Sequence, residues 1–127
     1  MKNILLIGGA GYIGSKLATK LVDLNYNVTV IDVLKFTNDS LNHLFYKNNF
    51  NFIKEDIRNK KLMRDLIKKN EFIIPLAALV GAPLCEKKKR EAVSVNLESI
   101  KYLMDVIDLA SLKRHRGILA CAWMDSP

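Results

Sequence analysis

Three glycines stand at intervals of three near the start of the chain, Gly8, Gly11 and Gly14, and a carboxylate, Asp32, follows eighteen residues after the last. The apolar run "NILLI" leads into the glycines, and a second run, "NVTVID", ends on the acid. Strand, glycine turn, helix and second strand closed by an acid together suit the binding of a dinucleotide. Gly8 is expected to allow the tight turn, Gly11 to let backbone approach a pyrophosphate, and Gly14 to let the helix pack closely. The pyrophosphate would rest on free N–H groups at the helix N-terminus, where the helix dipole favours an anion. A carboxylate at Asp32 accepts hydrogen bonds from ribose hydroxyls and repels a 2′-phosphate, so NAD is expected over NADP. Tyr12 and Ile13 open the helix; Ile13 is expected to pack under the turn and Tyr12 to cover the pyrophosphate.

Two rival chemistries fit less well. "GAGYIGSK", Gly9 to Lys16, nearly matches a P-loop, but its lysine falls one residue late and the order is Ser-Lys. A P-loop needs Lys directly after the last glycine and a hydroxyl next to it for magnesium. Tyr12 and Lys16 satisfy a Tyr-x-x-x-Lys spacing, whereas Tyr26, Tyr46 and Tyr102 are followed four residues on by Val30, Phe50 and Val106. The Tyr12–Lys16 pair lies inside the glycine turn, at the pyrophosphate end, and no catalytic role is expected of it. Cys85 and Cys121 lack metal-ligand spacing, and His43 and His115 are isolated, so no metal site is expected.

The elements that would position the turn follow from the apolar pattern. Short runs at 4–7, 27–32, 50–56, 71–77 and 117–122 alternate with helical patterns at Gly11–Leu24, Ser40–Tyr46, Lys60–Lys69 and Pro83–Leu112. Such alternation implies βαβ units and a parallel sheet with helices on both faces, an α/β fold. Right-handed crossovers then give a doubly wound sheet of order 3-2-1-4-5.

The 127 residues suit one domain, 1–127. No apolar run approaches the roughly 20 residues needed to cross a bilayer. The short run after Lys2 falls below a signal-peptide core, so a cytoplasmic protein is expected. The net charge of +7 invites a nucleic-acid reading, and the densest run is Lys87 to Arg90. No aromatic residue interleaves that run, and bases need stacking surfaces as well as cations, so a solvated helix face is the better account.

The glycine turn Gly8-Gly9-Ala10-Gly11-Tyr12-Ile13-Gly14 resembles the GxxGxxG turn of the extended short-chain dehydrogenase/reductases, the NAD-dependent epimerases and dehydratases of sugar nucleotides. Asp56-Ile57-Arg58 is similar to the family's D-[IV]-R after the third strand, where the resemblance implies adenine contact by the Asp side chain and the next backbone group. An alternative for Asp56 is a capping role at the following helix. Leu76-Ala77-Ala78 resembles the L-A-A that lies along the cofactor after the fourth strand. "AVSVNLESIKYLMDVI" resembles the fourth helix, with Asn96 at the family's Asn position, and "LVGAPLCEKKKREA" resembles an active-site edge loop. The likeness covers residues 2 to 114. It implies a Rossmann fold, NAD as cofactor, a sugar-nucleotide substrate, and a homodimer built partly on the fourth helix in the intact enzyme.

Two departures qualify the resemblance. Pro75 replaces the His usual before L-A-A, and proline lacks the N–H that a central strand ladder uses. From His115 onward the sequence stops resembling the family: the Ser/Thr turn and the catalytic Tyr-x-x-x-Lys are not found. The expectation is therefore the NAD-binding portion of an epimerase or dehydratase, truncated after about five strands and inactive alone. A non-catalytic NAD-binding module or a truncated remnant stands as the alternative, with a P-loop-like hydrolase behind it.

Overall fold

The structure is a computed structural model and describes residues 2–34, 39–76, 90, 101–105 and 117–118. The first strand, β1 (Asn3–Ile7), is buried along nearly its whole length, as a central parallel strand must be. It pairs in parallel with β2 (Asn27–Asp32) on one side and β4 (Phe72–Pro75) on the other. Outside these lie β3 (Phe50–Lys54), parallel to β2, and the short β5 (Gly117–Ile118), parallel to β4. The order is β3-β2-β1-β4-β5, the expected doubly wound arrangement. Winding reverses between β1 and β4, which opens a crevice at the carboxyl ends of the strands.

The helices cover the two faces. Helix α1 (Tyr12–Asp23) buries Gly14, Ala18 and Val22, a stripe of small residues at spacing four that lets it lie close to the sheet. It ends with Asn25 at φ 65°; Asn25 N–H donates to Val22 O and Tyr26 N–H to Leu21 O, a left-handed helix stop. Helix α2 (Lys60–Lys69) buries Met63, Leu66 and Ile67 on the other face. Residues 101–105 are also helical, and Leu103 joins the α2 side. Tyr102 Oη donates to Lys60 O at 3.1 Å and ties this helix to the start of α2.

Alternation along the strands thus makes two cores. Ile4, Leu6, Val28, Val30 and Ile74 meet Ala18 and Val22 on the α1 face, joined by Leu41 and Leu44. Leu5, Ile7, Ile31 and Ile73 meet Met63, Leu66, Ile67 and Leu103 on the other. Full burial of one such side chain contributes about 1.5–3 kcal/mol. β1, buried from Ile4 to Ile7, therefore anchors the crevice more firmly than the half-covered β3.

Several expected boundaries move. Ser40–Tyr46 forms only a 3-10 turn, Asn42–Leu44, because its buried residues, Leu41 and Leu44, are spaced for a single turn. The third strand stops at Lys54 rather than residue 56, where Arg58 N–H donates back to the Asp56 carboxylate in a tight turn. The fourth strand stops at Pro75. Glu71 N–H donates to Asn3 O, and the strand period of two would bring the amide of residue 75 onto Ile7 O. Proline has no such amide, and Leu76 N–H takes Ile7 O instead, at 2.6 Å. The chain leaves the ladder one residue early and no acceptor is stranded at that point. Of the fourth-helix and fifth-strand readings, residues 83–89, 91–100, 106–112 and 119–122 lie outside the described residues, as do Cys85, Cys121 and His115.

Candidate dinucleotide site at the carboxyl edge of the sheet

Parallel pairing brings the ends of β1, β2, β3 and β4 to one edge. Ile7 is level with Ile31 and Pro75, and Asp32 with Lys54. The segments that follow, Gly8–Gly14, Asp32–Leu34, Glu55–Arg58 and Leu76, therefore surround one crevice.

The glycine turn is built from contacts that side chains would obstruct. Gly8 has φ 82°, a conformation that glycine adopts without penalty, and its N–H donates to Ile31 O at 2.8 Å. A Cβ on Gly14 would sit 2.7 Å from Gly8 O and from Gly9 Cα, so helix and turn touch backbone to backbone. Gly11 differs. A Cβ there would meet only Gly8 O, at 3.7 Å, and the residue is exposed with φ −72°. Among the described residues nothing demands glycine at position 11, so the open side is free for a ligand to approach the backbone.

The N-terminus of α1 carries unmet positive potential. Gly11 is the N-cap and supplies no side-chain acceptor, and no acidic residue lies in the first turn. The first intrahelical bond is Ser15 N–H to Gly11 O at 2.9 Å. The amides of Tyr12, Ile13 and Gly14 precede it, and such leading amides have no partner within a helix. Tyr12 is 78% exposed and Ile13 62% exposed. Ile13 does not pack under the turn as expected, because it falls off the buried stripe of Gly14, Ala18 and Val22. Lys16 Nζ donates to Tyr12 Oη at 3.0 Å and lies 4.3 Å from the ring centroid, so the pair stands in solvent at the mouth of the turn.

Asp32 is fixed by two backbone amides. Ala10 N–H donates to Oδ2 at 2.9 Å and Leu34 N–H to Oδ1 at 2.8 Å. Each carboxylate oxygen keeps a further lone pair, so both retain capacity for a ribose hydroxyl. Ser40 Oγ donates to Ala10 O at 2.7 Å, which ties the β2–β3 connection to the turn. Thr19 Oγ1 adds a second tie, 2.7 Å from His43 Nε2. Thr19 spends its only hydrogen on Ser15 O, so His43 Nε2 is the donor in that pair.

At the far wall, the Asp56 carboxylate accepts from the backbone N–H of Arg58 and from its Nε and Nη2. It does not cap α2: Asn59 does, accepting from Leu62 N–H at 3.2 Å. Ile57 packs on the α2-side core and Leu76 on the α1-side core. Ala77, Ala78 and Asn96 lie outside the described residues. Three residues not singled out from the sequence belong to this edge. Gly9 is one, since a Cβ there would come 2.7 Å from the Val30 side chain; Ala10 and Ser40 are the others. Gly9 and Ala10 were visible as small residues within the turn. Ser40 carries no local signal, because its partner is thirty residues away.

A parallel sheet whose winding reverses between β1 and β4, with a glycine turn and a fixed carboxylate at the reversal, defines a Rossmann-type nucleotide-binding domain. Among the described residues no helix is long and apolar enough to cross a membrane, and no group of three or more His, Cys, Asp or Glu side chains is placed to hold a metal ion. The chain belongs to the NAD dependent epimerase/dehydratase family, which it matches over residues 4–121. It is 29% identical over 118 residues to a UDP-N-acetyl-alpha-D-glucosaminuronate decarboxylase from Bacillus cytotoxicus, covering 93% of this chain and 35% of that protein. Against a dTDP-D-glucose 4,6-dehydratase from Dictyostelium discoideum it is 28% identical, covering 90% of this chain and 28% of the relative. A UDP-glucose 4-epimerase from Thermotoga maritima, solved with UDP-glucose, superposes with a TM-score of 0.76 at 26% identity, over 87% of this chain and 35% of that one. The chain thus spans about a third of the length of the relatives it matches.

Proposed function

We propose that these residues form the NAD-binding part of a cytoplasmic sugar-nucleotide epimerase or dehydratase. The observation that supports this reading best is the juxtaposition of an uncapped α1 N-terminus, an open Gly11 and a carboxylate fixed on Ala10 and Leu34. The cradle fits a dinucleotide. The amides of Tyr12, Ile13 and Gly14 bind the pyrophosphate, Asp32 accepts from the adenosine ribose, and Asp56 with Ile57 borders the adenine. Leu76 follows β4 at this edge, and the family resemblance assigns it, with Ala77, Ala78 and Asn96, to the nicotinamide half of the cofactor. Bound there, NAD supplies a hydride acceptor and donor for a carbon of the sugar.

The residues assigned here bind and orient; they do not move the substrate proton. Tyr12 and Lys16 sit at the pyrophosphate end, and Lys16 is turned onto the Tyr12 ring and hydroxyl. The same placement argues against a P-loop hydrolase, whose lysine must reach bound phosphates. In the whole enzyme the sugar nucleotide would bind across the nicotinamide end, and two copies would pair partly through the helical segment that includes 101–105.

Titration calorimetry with NAD, NADP and ATP-magnesium tests the proposal. NAD is expected to bind at least tenfold tighter than NADP, with no ATP cleavage. Equal or tighter NADP binding would overturn the role of Asp32, and magnesium-dependent ATP turnover lost in Lys16→Ala would replace the proposal with a hydrolase.

A further inference from the structure

Resting on that reading, we infer that Ser40 is a positioning residue for the pyrophosphate turn, acting through one peptide plane. The turn has two consecutive peptide units at its centre. The unit joining Gly9 to Ala10 is held by Asp32, whose Oδ2 accepts from Ala10 N–H at 2.9 Å. The unit joining Ala10 to Gly11 is held by Ser40, whose Oγ donates to Ala10 O at 2.7 Å. A peptide unit is planar, so a fixed carbonyl also fixes the direction of the N–H on its far side. That N–H belongs to Gly11, the N-cap of α1. It is aimed at Gly8 O, but at 3.5 Å that contact is long and holds the peptide only weakly. Ser40 therefore supplies the firmer hold on the peptide from which α1 starts.

Ser40 is itself well placed to act as a fixed strut. Leu41 beside it and Leu44 are buried in the α1-side core, at 3% and 1% exposure. Thr19 and His43 fasten the same segment to α1. The hydroxyl thus projects from an anchored segment onto a turn whose glycines give it little stiffness of its own. The expected consequence is selective: loss of the hydroxyl loosens the Ala10–Gly11 peptide and with it the start of α1, whose Tyr12, Ile13 and Gly14 amides take the pyrophosphate, and leaves recognition of the nucleoside by Asp32 in place.

The test compares NAD, ADP and adenosine on the full 127-residue chain by titration calorimetry, with competition for the weak ligands. Ser40→Ala should weaken NAD and ADP about three- to tenfold, the loss of one ordinary hydrogen bond, and leave adenosine unchanged. Ser40→Thr, which keeps the hydroxyl, should restore parental affinity. Thr19→Val, which removes the other tie of the segment, should leave the ADP-to-adenosine ratio as in the parent. If Ser40→Ala weakens all three ligands alike, or none, Ser40 does not position the turn, although NAD binding by the parent would still uphold the functional proposal. If the parent itself binds neither NAD nor ADP, the functional proposal fails and this inference fails with it.

Discussion

Gly11 and Gly14 are the same residue type three positions apart, yet alanine is expected to have opposite effects at the two. At Gly14 the added Cβ would lie 2.7 Å from Gly8 O and Gly9 Cα and 2.9 Å from Gly9 C, all backbone atoms. Ordinary contact starts near 3.4 Å, so helix and turn must part by roughly 0.7 Å, which overpacking studies place at about 1–3 kcal/mol. The gain in helix propensity from Gly to Ala offsets about 1 kcal/mol of this. The net loss is up to about 2 kcal/mol, with about 1 kcal/mol at the middle of the range, or a fall in melting temperature of roughly 3–5 °C for a domain of this size. At Gly11 the Cβ meets one atom at 3.7 Å, and φ −72° suits alanine. A weaker N-cap and a less entropic unfolded chain roughly cancel, so stability should stay within about 0.5 kcal/mol. NAD affinity should nevertheless fall by about ten- to a hundredfold, the worth of one hydrogen bond to a charged group of about 1.5–3 kcal/mol. Thermal unfolding of the free chain and NAD calorimetry, run on both variants, separate the effects. A Gly11→Ala chain that binds NAD like the parent would refute the reasoning, as would a Gly14→Ala chain that melts at the parental temperature.

Other outcomes follow from single contacts. Asp32→Asn should cost about 1–3 kcal/mol of stability, since its one amide oxygen can accept from Ala10 or Leu34 but not both and its NH2 then faces the other N–H, and should narrow the preference for NAD over NADP; melting and paired titrations check this. Asn59→Ala removes the α2 cap and should lower stability by about 1 kcal/mol, with NAD affinity unchanged in the same calorimeter. Asn25→Gly relieves the left-handed conformation at φ 65° and should raise the denaturant midpoint, whereas Asn25→Ala should lower it.

The strand order was legible because apolar runs and helical patterns alternate without interruption, and crossover handedness leaves few ways to wind them. The glycine turn was legible because its constraints are local: Gly8 needs a positive φ and Gly14 a bare helix face. Contacts between distant segments were not. Nothing in "DSLNHLF" says that Ser40 reaches Ala10, or that Leu41 and Leu44 support one 3-10 turn rather than a helix. Ile13 looked like a packing residue by type, but its angular position on α1 leaves it in solvent. Asp56 looked like a candidate cap, but Arg58 claims its carboxylate and the cap passes to Asn59. Pro75 marked a defect in the ladder, and only coordinates show that the next amide fills it.

Asp32 serves two masters, and that has an evolutionary price. The carboxylate that would choose the cofactor also braces Ala10 inside the glycine turn and Leu34 in the segment beyond β2. A lineage drifting towards a phosphorylated ribose could not simply discard the acid; it would first need another acceptor for those two amides. Cofactor preference in this chain is therefore epistatic with the shape of its own binding loop, and a laboratory exchange at position 32 should succeed only when paired with a second substitution that inherits the bracing.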